Sequence, residues 1–166
     1  MNNPSNDHLR SIALHQAAIA SASVLQDGGT GILGVKISPE ADPRRCYVEF
    51  DPLHLELFEV CALRHRIVSR LAGLIGDKRL NANGANWWDL DAALRLARDY
   101  VLFKHEQCGN LPLEQRQEKI AQVYLECYDE AEQIVDRNLD EIRRVADALL
   151  EKGELRTADL IGLLRG

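Results

Sequence analysis

The chain lacks any Cys-x-x-Cys pair: its four cysteines, Cys46, Cys61, Cys108 and Cys127, lie far apart in sequence. That spacing suits neither a zinc ribbon nor a small disulfide scaffold, and it reads as free thiols in a reducing cytoplasm. A basic excess is missing too. Lys and Arg number 20 against 26 Asp and Glu, giving a net charge of -6 and a pI of about 5.4. No field draws nucleic acid or an anionic membrane, and the pairs Arg44-Arg45 and Arg143-Arg144 sit among mixed signs as solvated surface. The apolar run from Ile12 to Leu25 is too short and interrupted for a membrane span. Ala20 to Ser23 imitates a signal-peptidase site, but no basic n-region precedes it. Internal repeats and low-complexity tracts are absent as well.

What remains is ordinary for a folded domain. With 166 residues, 46% of them hydrophobic and 28% charged, and a mean hydropathy of -0.25, the chain is long enough to bury a real core as one domain over residues 1–166. Disorder is expected only at residues 1–4.

Periodicity and punctuation place the elements. Pro4 to Asp7 supply cap chemistry for a helix from about Ser5 to Leu25, apolar or small nearly all round and therefore buried. Gly31–Ser38 and Arg45–Phe50 read as strands around a turn at Pro39 to Pro43. Asp51-Pro52 opens a helix whose end is expected to loosen at Gly73 and Gly76, with loop from Gly76 to Trp88. Asp89 starts a helix reaching about Lys104, and Gly109 to Pro112 breaks the chain again. Leu113 to Lys152 is helical with a bend near Asn138, Gly153 is the C-cap, and Thr157 N-caps a last short helix. The expected fold class is mainly α (α+β), with a small two- or three-stranded sheet near the N-terminus.

One nucleotide motif matches in letters alone. Gly29 to Gly34 spells G-x-G-x-x-G, but that fingerprint needs a strand before it and a helix after it, and here the order is reversed. A P-loop fails on the same residues, because Val35-Lys36 stands where Gly-Lys-Ser/Thr is required.

The buried first helix carries His15 and Gln16 at its centre, a polar pair among alanines. Further on, Gly84 to Arg98 reads Gly-Ala-Asn-Trp-Trp-Asp-Leu-Asp-Ala-Ala-Leu-Arg-Leu-Ala-Arg. Near the end, Tyr128 to Val135, Asn138 to Leu155 and Ala158 to Ile161 follow a Tyr-x-x-Ala-x-x-Ile pattern, then a leucine and alanine periodicity closing on Leu-Leu-Glu. In order and spacing these blocks resemble the peptidase domain of the FtsH family of ATP-dependent zinc metalloproteases. The resemblance implies a helical peptidase-like fold, and it matches Asp89 to the family's third zinc ligand. Its H-E-x-x-H helix falls on His15 to Ile19.

There the match departs from the family. Gln16 stands at the general-base position and has no proton to exchange near neutral pH. Ile19, at the second histidine, has no donor atom. His15 and Asp89 alone supply two ligands where a catalytic zinc takes three protein ligands and water, so zinc binding is expected to be weak or absent and no other cofactor is implied. His8, His54, His65 and His105 read as surface or capping residues rather than replacements. Trp87 and Trp88, beside Asp89, are expected to fill the former site together with Ile19.

These readings imply a stand-alone, catalytically inactive peptidase-like protein that binds a protein partner or regulates one. Met1 lies only a few residues before the peptidase-like helix, so unfolding of substrate would fall to a separate partner. The alternatives are an active metallohydrolase with rearranged ligands, or a helical interaction protein unrelated to proteases. The family's ring assembly makes self-association an expectation to test.

Overall fold

The computed structural model describes residues 4–38, 45–80, 82, 87–104 and 112–166, with backbone alone at 4–6, 55–59, 87 and 88. Helix α1 (Pro4–Asp27) runs through the middle. From Ile12 to Val24 nearly all of its side chains are buried, and its alanines and serines let neighbours approach on every side. Helices α2 (Pro52–Leu80), α5 (Leu139–Lys152) and α6 (Thr157–Arg165) and a small sheet pack around it. Helices α3 (Trp87–Lys104) and α4 (Leu113–Arg137) cover α2 from outside.

The protein is mainly α, of the α+β class, with a three-stranded antiparallel sheet in the order β2-β1-β3. Strands β1 (Ile32–Lys36) and β2 (Tyr47–Phe50) pair as the sequence suggests, Val35 opposite Val48. The third strand, β3 (Glu154–Arg156), comes from the far end of the chain and pairs Val35 with Leu155. A register irregularity between Ile32 and Gly34 lets Ile32 and Val35 both face the core. A β-carbon on Gly34 would stand 2.7 Å from the Leu155 carbonyl oxygen, so only glycine admits β3 at this separation.

Several boundaries differ from expectation. Pro4 begins α1 rather than lying in a disordered tail. Helix α2 does not loosen at Gly73 and Gly76 but continues through both to Leu80. Trp87 and Trp88 belong to the first turn of α3, not to a loop. The last helix is capped not by Thr157 but through Asp159, whose Oδ2 accepts the Arg156 N–H at 3.1 Å, while the Thr157 hydroxyl donates to the Ile32 carbonyl and ties α6 to β1. The expected breaks at 39–43 and 109–111, and most of the loop at 81–86, lie outside the described residues.

Two signals hold as read. The long helical stretch breaks at Asn138, with φ -129° and ψ 27°. Gly153 takes the left-handed conformation, φ 76°, and its N–H closes α5 on the Leu149 carbonyl at 2.8 Å. Among the described residues no helix is long and apolar enough to cross a membrane. Cys46, Cys61 and Cys127 form no disulfide among the described residues, and Cys108 lies outside them.

Candidate functional site

Three helices meet at His15. It sits midway along α1, opposite the later turns of α2 and the first turn of α3, and its residue is 1% exposed. The crossing is close because α2 carries no side chain there. A β-carbon on Gly73 would lie 2.8 Å from His15 Cε1 and 2.7 Å from Ile19 Cγ1; one on Gly76 would lie 2.7 Å from Ala18 Cβ. The two glycines read as helix breakers are contact points in an intact helix.

Each imidazole nitrogen faces a carboxylate. His15 Nδ1 is 3.0 Å from Asp77 Oδ2, at the end of α2, and Nε2 is 2.9 Å from Asp89 Oδ2, at the start of α3. The other oxygen of Asp89 accepts a hydrogen bond from Arg70 Nη1 at 2.7 Å. Ionised carboxylates only accept, so both bonds are made when the ring carries both protons, as imidazolium. Burial by itself pushes the pKa of His15 down, but the hydrogen bonds to Asp77 and Asp89 and their charges outweigh it, raising it to about 9. For Asp89, burial raises the pKa; the hydrogen bond and charge of His15, joined by Arg70, hold it below the usual carboxylate value. Asp89 also lies in the first turn of α3, where the helix dipole favours an anion. The cluster alternates Asp77, His15, Asp89 and Arg70, two negative and two positive groups, which is how buried charge is kept affordable.

The residues singled out in sequence are thus distributed unequally. His15 and Asp89 are in direct contact. Gln16 turns elsewhere: its amide nitrogen donates to the Cys46 carbonyl at 3.4 Å, and its Oε1 is buried without a hydrogen-bond partner among the described residues. Ile19, one turn beyond His15, is 0% exposed and wedged against Gly73. The side chains of Trp87 and Trp88 lie outside the described residues. His8 is exposed, and His105 lies outside. His54 and His65 are not free surface groups: both flank Asp27 Oδ2, at 3.7 and 3.8 Å, where that carboxylate also accepts the Gly31 N–H.

Sequence reasoning missed Asp77 and Arg70. Their signal was positional: Leu63, Ile67, Arg70, Leu74 and Asp77 recur at helical spacing on one stripe of α2, so an acid and a base occupy places where the stripe is otherwise apolar.

The side chains that the resemblance matches to zinc ligands pair with one another here. Two donors on one tetrahedral zinc stand about 3.3 Å apart with the ion between them, whereas His15 and Asp89 are in hydrogen-bond contact and Arg70 brings a fixed positive charge to the same carboxylate. Among the described residues no group of three or more His, Cys, Asp or Glu side chains is arranged to hold a metal. What the cluster can do is hold three helices in one register. No protein-family model matches the chain, and no curated protein does.

Proposed function

We propose that the protein is a catalytically inactive relative of zinc metallopeptidases of the FtsH type, working in the cytoplasm as a protein-binding or regulatory module. The observation that carries the reading is the contact between His15 Nε2 and Asp89 Oδ2: the two residues the resemblance matches to metal ligands bind each other. Gln16, turned toward the Cys46 carbonyl, offers no base near this contact. Ile19 puts a methyl group where a second imidazole would be needed.

The alternative, an active hydrolase, has one observation in its favour. Asp77 on Nδ1 is the arrangement that orients a metal-binding imidazole through its far nitrogen. Among the described residues it completes no group of three side chains arranged to hold a metal.

The test is zinc content per chain, by mass spectrometry on untagged protein challenged with added zinc, together with cleavage of an unfolded protein substrate. The expected result is no retained zinc and no chelator-sensitive cleavage. Near-stoichiometric zinc, or cleavage abolished by a chelator, overturns the reading.

A further inference from the structure

The outer end of the ionic cluster carries a group that the closed site does not use. Arg66 and Arg70 lie one turn apart on α2, and both guanidinium carbons stand over the ring of Phe50, 4.9 and 5.8 Å from its centroid. Arg70 is paired with Asp89. Arg66 makes no ion pair among the described residues; its hydrogen bond there goes to the Asp51 backbone carbonyl at 3.3 Å. The Asp51 carboxylate itself accepts the Leu53 N–H at 2.9 Å, in the first turn of α2. Burial and the Arg70 charge both push the pKa of Arg66 down, with Asp51 opposing them. A half-buried guanidinium beside a like charge and without a paired carboxylate gains from an incoming anion.

We propose that Arg66, held beside Arg70 over the ring of Phe50, docks an acidic segment of a partner protein, one side-chain carboxylate taking the free donors of Arg66. Local charge complementarity selects the occupant: among the described residues the Arg66 guanidinium has no paired carboxylate and stands one turn from a second cation, Arg70. Asp51 and Asp89 limit how much negative charge the place accepts, which favours a carboxylate over a phosphate dianion.

The proposal deepens the protein-binding reading, and the two fail separately. Zinc retention or proteolysis overturns the inactive module and leaves the Arg66 site untouched, whereas the binding experiment addresses Arg66 alone.

The probe is a fluorescein-labelled peptide of alternating Glu and Leu, followed by anisotropy against the full chain at low salt. Saturable binding is expected, falling with added salt and weakened roughly tenfold or more by Arg66→Gln, with partial recovery in Arg66→Lys. Arg143→Gln is the control: that arginine pairs with Asp140 on its own helix, α5, and its loss should leave binding unchanged. The proposal is overturned by absent binding, by equal binding of a control peptide carrying Gln in place of every Glu, or by equal effects of Arg66→Gln and Arg143→Gln. Stronger competition by inorganic phosphate than by acetate overturns the carboxylate assignment.

Discussion

Gly73 and His15 are in contact across the α1–α2 crossing, close enough that a β-carbon at Gly73 would sit 2.8 Å from the imidazole Cε1. The neighbouring obstacle, Ile19, is itself fully buried and cannot step aside into solvent. Helix propensity alone would make Gly73→Ala stabilising by up to about 1 kcal/mol. Overpacking of this kind costs about 1–3 kcal/mol, so the variant should lose stability on balance. Gly162 in α6 is the matched control, because a β-carbon there meets nothing within 4 Å, and Gly162→Ala should be neutral or mildly stabilising. Denaturant midpoints of the two variants check the contrast.

Removing one member of the buried cluster should cost more than removing a surface ion pair. Asp89→Asn leaves Arg70 and His15 sharing a neutral amide, and His15→Ala strands two carboxylates in the core. Breaking buried pairs in this way costs roughly 3–5 kcal/mol. Arg143→Ala, which loses an exposed pair with Asp140, should cost well under 1 kcal/mol. Equal, small losses in all three would show that the cluster contributes little to the fold.

The same network gives stability a definite pH profile. His15 has its folded pKa raised from 6.5 to about 9, so its contribution is fully present below pH 6.5 and is lost as pH rises through about 9. At 1.36 kcal/mol per unit the shift corresponds to about 3 kcal/mol for this buried group. Asp89, with its folded pKa lowered, contributes above about pH 4 and loses that contribution as pH falls through its folded value. Wild type should therefore be most stable between about pH 4 and 6.5. Against His15→Gln, the stability difference should shrink between pH 6.5 and 9; a difference that stays constant across that window contradicts the protonated ring.

The outline of this fold was legible because its signals are local. Asn138 and Gly153 mark a break and a cap by their own backbone chemistry, and the alanine-rich α1 announces burial from its composition. Other features needed a partner to exist. Gly73 and Gly76 look the same in sequence whether they end a helix or admit a second one, and only the facing Ile19 and Ala18 decide the matter. Strand β3 has three residues, too few to show alternation, and is a strand because β1 pairs with it. The proximity of His15 and Asp89 came from a family resemblance rather than from periodicity. Asp77 and Arg70 were hidden among the apolar residues of α2, because a buried charge reads as surface until its counter-charge is found.

The most direct test of the closed site is a long-range proton–nitrogen NMR spectrum of the histidine rings at neutral pH, recorded before and after equimolar zinc. His15 is expected to keep a proton on both Nδ1 and Nε2, held by Asp77 and Asp89, with signals that do not move when zinc is added. An Nε2 without its proton, or one whose resonance shifts on binding zinc, would contradict the closed cluster and reopen His15 as a metal ligand.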